Sequence, residues 1–225
     1  MFLFDLHIHT QEVSPCGELP AADIVRLYHA RGYSGIVITD HFRKKTMQRL
    51  PGESWPEKVD GYLRGYELAK EAGDALGVTV LLGLESRTAD FDCNDFLIYG
   101  ITRSFLLEHE WLYDRPLAEI SAIVRRAGGM IYQAHPLRRG MKVAPPELVD
   151  GIEVFNGRNN NFTTDIAVHT ARERGWHMLS GSDCHSTEEA CRGGILLEER
   201  PETSEQLLQA LRGDRYAWIA RPERA

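Results

Sequence analysis

The amino-acid sequence predicts an α/β fold in which parallel strands form a sheet or barrel, and three observations carry that expectation. Short apolar runs alternate with segments of helical period along the chain. Several of the helical segments stop at a glycine, the residue that tolerates the left-handed turn after a helix. No repeat, low-complexity tract or Pro/Gly/Ser-rich linker interrupts the 225 residues, and a 43% hydrophobic content supports one sizeable core, so residues 1–225 are read as a single domain.

Taken in order, Phe2–Ile8 is an apolar run and the first expected strand. Ala21–Arg31 follows as a helix, with Ile24, Leu27 and Tyr28 on one face and Gly32 behind it. Gly35–Thr39 is the second strand. Phe42–Pro56 fits neither period, holds two prolines and carries Arg43, Lys44, Lys45 and Arg49. It is expected to be a loop, equally a basic lid over a site or a solvated segment. Lys58–Leu76 reads as a helix stopped by Gly77, and Thr79–Leu84 and Phe96–Tyr99 as strands. Leu117–Ala127 turns Ile120, Ile123 and Val124 inward before the Gly128-Gly129 stop. Strands are expected at Met130–Gln133, Gly151–Phe155 and His177–Ser180, with Gly194–Leu197 as a late pairing run. Thr163–Arg174 is a helix capped by Thr163 or Thr164, and Ser204–Arg212 is opened by a capping box using Thr203 or Ser204 with Glu205 and Gln206.

Composition excludes several classes. A net charge of −7 argues against a long nucleic acid chain as partner, because neutralising its phosphates needs a basic surface. No run of apolar residues reaches membrane-spanning length, and the start MFLFDLHIHT is too short and too soon charged for a signal peptide. Cys16, Cys93, Cys184 and Cys191 lack the paired spacing of a zinc ribbon or a disulfide framework. Reduced thiols and a cytoplasmic location are therefore expected.

The chemistry gathers at strand ends. Strand alternation sends His7 and His9 of Asp5-Leu6-His7-Ile8-His9-Thr10 to one face, where both reach one ion. Alone, that pair is weak evidence. The apolar run Ile36–Thr39 ends in Asp40-His41, Leu81–Leu84 in Glu85, Met130–Ala134 in His135, and Met178–Ser182 in Asp183-Cys184-His185. In an α/β barrel the carboxyl ends of the strands share one mouth, so these residues are expected to meet. Imidazoles and carboxylates with almost no thiolate suit Zn²⁺, Mn²⁺ or Fe²⁺, and seven donors exceed what one tetrahedral ion needs, so two or three ions are implied.

The motifs DLHIHT, TDH, GLE, AHP and SDCH, in this order from Asp5 to His185, resemble the polymerase and histidinol phosphatase (PHP) superfamily. The resemblance implies a distorted (β/α)7 TIM-like barrel and a metal-dependent phosphoesterase that hydrolyses phosphoesters through metal-bound hydroxide. By that resemblance His7, His9, Glu85 and Asp183 hold a first metal. Glu85 bridges to a second that also binds His135, and His41 and His185 belong to a third. Asp183, His41 and His185 then act in catalysis, the last two at the leaving oxygen. Asp5 steers a strand-one imidazole by accepting its N–H, and Asp40 stands behind the ligands.

The chain departs from the family pattern twice. Where relatives carry a further third-site ligand it reads Glu12-Val13-Ser14-Pro15-Cys16, leaving Glu12 or Cys16 to substitute. Phe96–Thr102 lacks the histidine many members place after the fourth strand; the nearest, His109, is expected on a surface helix. Arg43, Arg138, Arg139 and Arg158 are rival phosphate contacts, with Asn156 as an orienting group at the substrate, because a guanidinium fork matches phosphate oxygens. The expected substrate is a small phosphorylated metabolite or nucleotide. An amidohydrolase-like C–N hydrolase, and a barrel kept as a non-catalytic binding module, remain open beside it.

Overall fold

The computed structural model describes residues 1–91, 93–159 and 163–220. Ten strands form one sheet: β1 (Phe2–Ile8), β2 (Gly35–Ile38), β3 (His41–Phe42), β4 (Thr79–Ser86), β5 (Phe96–Tyr99), β6 (Met130–Gln133), β7 (Gly151–Asn156), β8 (His177–Gly181), β9 (Gly193–Leu197) and β10 (Tyr216–Ala220). They are joined by helices α1 (Ala21–Ala30), α2 (Lys44–Arg49), α3 (Trp55–Leu76), α4 (Arg103–Glu108), α5 (Leu117–Arg126), α6 (Thr164–Arg174) and α7 (Ser204–Arg212).

The pairing order β1-β2-β4-β5-β6-β7-β8 wraps into a nearly closed barrel. Its mouth closes where β1 meets the chain after β8, with His9 N–H donating to the Cys184 carbonyl at 3.0 Å and Cys184 N–H to that of His7 at 3.2 Å. At the opposite end β9 lies antiparallel to β1, through Phe2–Leu197 to Phe4–Ile195, and β10 adds to β9. Leu207, Leu208 and Leu211 of α7 plug that end against Phe4, Leu6, Tyr99 and Tyr132. The barrel is therefore distorted as expected, with β5 running antiparallel to both neighbours.

The expected strands and helices are present, most with ends shifted by a few residues. Phe42–Pro56 is a correction. It holds the end of β3, the short helix α2 and the start of α3, not a loop. Phe42 and Met47 are buried there, and Ser54 opens α3 with a full capping box to Glu57. Six helical residues give too little period to read, and the prolines mask the rest. Asn160 and Asn161, which follow Arg158 and Asn159 in the sequence, lie outside the described residues. Among those described, no helix is long and apolar enough to cross a membrane.

One irregularity in β1 decides the site. The register against β2 slips between Asp5 and Ile8, a β-bulge that resets the alternation. Phe4 and Leu6 point into the barrel and Leu3 and Ile8 toward α1, so the bulge lets Leu6, His7 and His9 all face inward.

Candidate metal centre

Five strand ends deliver the donors to the barrel mouth. His7 Nε2 lies 3.1 Å from His9 Nε2, 3.4 Å from Glu85 Oε1 and 3.5 Å from Asp183 Oδ1. His9 Nε2 lies 3.4 Å from Asp183 Oδ1 and 3.6 Å from Glu85 Oε2. Donors at about 2.1 Å around a tetrahedral ion stand about 3.4 Å apart, close to these pairwise distances, and His7, His9 and Glu85 form one donor group. Glu85 Oε1 is also 3.1 Å from His135 Nε2, and Asp95 joins these two in a second donor group. His9, His41 and His185 form a third.

Hydrogen bonds fix which nitrogen each ring presents. Glu153 takes His7 Nδ1 at 3.0 Å. Ser14 Oγ donates to Asp40 Oδ1 at 2.7 Å, so toward His9 Nδ1, 3.2 Å away, it is left as an acceptor. Both rings thus hold a proton on Nδ1 and turn the Nε2 lone pairs toward each other, an arrangement only a shared proton or a cation relieves. His185 Nδ1 donates to the Asp183 carbonyl at 2.9 Å, leaving its Nε2 buried with no hydrogen-bond partner. His41 Nδ1 is 2.6 Å from Glu85 Oε2, yet the two do not meet at a hydrogen-bonding angle and both lack a partner. Orphaned buried atoms of this kind fit a set of cation ligands.

The charge distribution says the same. Burial disfavours ionisation of Glu85, but the rings of His41 and His7 outweigh it and hold the carboxyl well below its usual range. Asp183 is held down likewise, chiefly by His7 and His9 against the effect of burial. Burial works against the charge on His7, but Asp183, Glu153 and Glu85 raise it well above the ordinary value. Burial and the neighbouring His41 and His185 push His9 well below it. For His41, burial is overcome by Glu85 and Cys16, giving about 9. A proton is retained where a cation would sit.

Two of these donors sit on strained backbone. His135 has φ 29° and Asp183 φ 52°, in the left-handed region that L side chains rarely adopt. His135 is held there by its N–H donating to Glu153 Oε2 at 2.9 Å, although Pro136 restricts the residue before it. Space is equally constrained. A Cβ on Gly181 would fall 2.5 Å from His7 Cβ and 2.8 Å from Glu153 Oε1, so only glycine lets β8 pass here.

The structure brings His7, His9, His41, Glu85, His135, Asp183 and His185 together, as the motifs led one to expect. Cys16 is in none of the three donor groups, although contact and charge from His185 and His41 outweigh burial and lower its thiol to about 6. Glu12 does not. Both its carboxylate oxygens accept the Ala21 N–H at 3.1 Å, where it caps α1. Asp5 also departs from expectation. It accepts from the backbone of His7 and Ser182 and from Tyr28 Oη, because the bulge leaves it on the α1 side, and no imidazole N–H reaches it. Asp40 accepts from Thr10 N–H, Thr10 Oγ1 and Ser14 Oγ, all at 2.7 Å, and acts on His9 and His41 through Ser14.

The proposed substrate groups separate. Asn156 spends its amide inside the site, donating to Glu153 Oε2 at 2.7 Å and Asp183 Oδ2 at 3.3 Å and accepting from Arg158 N–H and Asn159. It also lines the cleft beside His135. Arg158 pairs with Glu189 at 2.9 Å and Arg138 with Asp95 at 3.1 Å. Arg139 is exposed at a cleft of about 160 Å³ beside His135. Arg43 differs, because its buried Nε has no hydrogen-bond partner and its charge acts on His41.

Three participants are absent from the sequence reading. Glu153 is a charged residue inside an apolar strand, a signal that was available. Ser14 has no such signature. Asp95 was missed because β5 is antiparallel, so its amino end, not Thr102, faces the mouth. His109 instead ends α4 against Phe105, ring centroids 4.7 Å apart.

A family model described as PHP domain matches residues 5–217, and the chain belongs to that family. No curated protein sequence matches it significantly. Solved structures agree in fold. A two-domain protein of Bacteroides vulgatus containing a predicted PHP-like metal-dependent phosphoesterase superposes with TM-score 0.71 at 18% identity, over 98% of this chain and 65% of that one. An amidohydrolase of Chromobacterium violaceum, with bound sulfate and no metal, gives 0.60 at 16% over 95% and 97%. A lesion-specific endonuclease of Pyrococcus furiosus gives 0.58 at 16%, over 94% of this chain and 56% of that one. This chain thus spans less than two thirds of the first and last of these.

Proposed function

We propose that the protein is a divalent-metal-dependent phosphoesterase acting on a small phosphorylated molecule. The observation that carries this reading is the ring of Nε2 lone pairs and carboxylate oxygens from His7, His9, Glu85 and Asp183 at ion-ligand spacing. His135 and Asp95 extend it on one side through Glu85, and His41 and His185 on the other. Bound zinc, manganese or iron would supply Lewis-acid neutralisation of phosphoryl oxygens and acidify a water.

The chain's own groups do the rest. Glu153, Ser14 and Asn156 hold the ligands in one tautomer and one rotamer. Arg43, with an unpaired buried nitrogen beside His41, is placed to take a non-bridging phosphoryl oxygen. His41 and His185 lie on that same side and would serve the leaving oxygen as proton donors or as ligands. The cleft of about 160 Å³ lined by His135, Arg138, Arg139 and Asn159 leaves room for a compact substituent. The net charge of −7 favours such a substrate over a nucleic acid polymer, and four unbridged cysteines suit a reducing compartment.

Stripping with a chelator should abolish hydrolysis of an aryl phosphate, and manganese or zinc should restore it. Asp183→Asn should lower kcat by at least a hundredfold with the fold intact. Turnover that survives complete metal removal would overturn the proposal. An amidohydrolase-like activity is the second reading, since one structural neighbour bears that name. Cleavage of amides or cyclic ureides without phosphatase activity would establish it. DNA cleavage would point to a polymer substrate, and purified protein carrying no metal and taking none up would leave a binding module.

A further inference from the structure

The histidines of the centre do not have equal support behind them. His7 Nδ1 faces the Glu153 carboxylate at 3.0 Å, His9 Nδ1 the Ser14 hydroxyl at 3.2 Å and His185 Nδ1 the Asp183 carbonyl at 2.9 Å. His135 Nδ1 faces a thioether instead, Met141 Sδ at 3.4 Å. Such a sulfur is a weak acceptor and has no proton to donate. The contact is built into the segment after β6. Arg138 N–H donates to the His135 carbonyl and Met141 N–H to that of Arg138, both at 3.0 Å, so two turns fold the side chain back onto the ring. The next residue is clamped: the Lys142 carbonyl accepts Asn94 Nδ2 at 2.6 Å and Gln133 Nε2 at 2.8 Å, and Lys142 N–H donates to Asn94 Oδ1 at 3.1 Å. Asn94 and Gln133 are buried, so the thioether is held in place.

Two further observations weaken the same position. His135 Nε2 lies 3.1 Å from Glu85 Oε1, a better acceptor than sulfur, so in metal-free protein the neutral ring keeps its proton on the nitrogen a cation needs. For an ion to bind, that proton must leave Nε2, and the other ring nitrogen offers it only the Met141 sulfur. At His7 the opposite holds, because Glu153 already keeps the proton on Nδ1. Asp95, the third donor of the His135 group, is partly spent. Its Oδ1 accepts Arg87 Nε at 2.9 Å and its Oδ2 accepts Arg138 Nη2 at 3.1 Å, so two guanidinium groups compete with a cation for its charge.

We propose that Met141 is a positioning residue that makes the Glu85–Asp95–His135 position the weakest metal site of the centre, filled last and emptied first. An imidazole backed by a carboxylate is a more basic ligand than one backed by a thioether, and such outer contacts change metal affinity about 10- to 100-fold. Occupancy of the His135 position then follows the free metal concentration while the His7–His9 position stays filled. The inference rests on the metal-centre reading above but is tested separately from it.

Metal-stripped protein carrying ¹⁵N-labelled histidine is titrated with Zn²⁺, and long-range ¹H–¹⁵N spectra follow each ring nitrogen as it becomes a ligand. The His7 and His9 nitrogens are expected to respond first and His135 Nε2 only at higher Zn²⁺. Met141→Glu supplies a strong acceptor and should tighten binding at His135 by about tenfold or more, with His7 and His9 changing by less than about threefold. Met141→Leu, of similar volume and without an acceptor, should keep His135 last. His135 filling with or before His7 in the wild type overturns the proposal. So does a folded Met141→Glu that leaves order and affinity unchanged, or that tightens every position alike. Should circular dichroism show that Met141→Glu does not fold, the wild-type filling order decides alone. Folded wild type whose histidines never respond to Zn²⁺ removes the metal-centre reading too, which separates that failure from failure of this assignment.

Discussion

Glu153 is the position at which a single atom change should be most informative. Its Oε2 accepts two N–H donors, from His135 at 2.9 Å and from Asn156 at 2.7 Å, and its Oε1 accepts His7 Nδ1 at 3.0 Å. In Glu153→Gln the amide oxygen must stay where two donors converge, so the NH₂ group turns toward His7. Nδ1 then becomes an acceptor and the proton moves to Nε2, the atom facing His9 across 3.1 Å. Losing such a support costs about 10- to 100-fold in metal affinity, or about 1.4–2.7 kcal/mol. Competition for Zn²⁺ against a chromophoric chelator measures it directly, with circular dichroism reporting the fold. Affinity unchanged within about twofold in a natively folded variant would refute the tautomer argument. Glu153→Ala should instead cost about 1–3 kcal/mol of stability, because two buried donors lose their acceptor.

Two further outcomes follow from packing and charge. Gly65 lies within α3, where alanine would ordinarily gain up to about 1 kcal/mol. Here its Cβ would fall 2.2 Å from Thr10 Oγ1 and 2.9 Å from Asp40 Oδ2, atoms already bonded to each other. Overpacking costs about 1–3 kcal/mol, so Gly65→Ala should lower the melting temperature; a stabilised variant would show that the Thr10–Asp40 clamp yields freely. Burial raises the Asp5 carboxyl from 3.8 to about 6. The folded state then binds this proton more tightly than the unfolded one, so the stability it contributes is full below pH 3.8 and is lost as pH rises through about 6. The loss is about 3 kcal/mol in order of magnitude. Denaturant midpoints of metal-free wild type and Asp5→Asn, compared across that range, should converge at low pH and diverge toward neutrality in favour of the variant. Parallel curves would show that Asp5 does not titrate there.

Most of the centre was legible because metal chemistry restricts residue type and barrel topology restricts position. His7, His9, His41, Glu85, His135, Asp183 and His185 each end an apolar run, and a parallel strand hands its carboxyl end to the mouth. The same rule failed at β5. A lone strand in reverse carries no mark in its four residues, so Asp95 was invisible as a site residue. Glu12 and Cys16 were indistinguishable as donors until the fold set the Glu12 carboxylate on the N–H of Ala21 at the start of α1.

The sequence by itself determined the order of strands and helices, the barrel class and the identity of the principal donors, because hydrophobic period and ligand chemistry are local properties. The tertiary structure alone decided the bulge that turns Asp5 away from the rings, the left-handed backbone of His135 and Asp183, and the use of Glu153 and Ser14 to set the tautomers. Each of these depends on which atoms of distant segments compete for the same few ångströms, and that competition exists only once the barrel has closed.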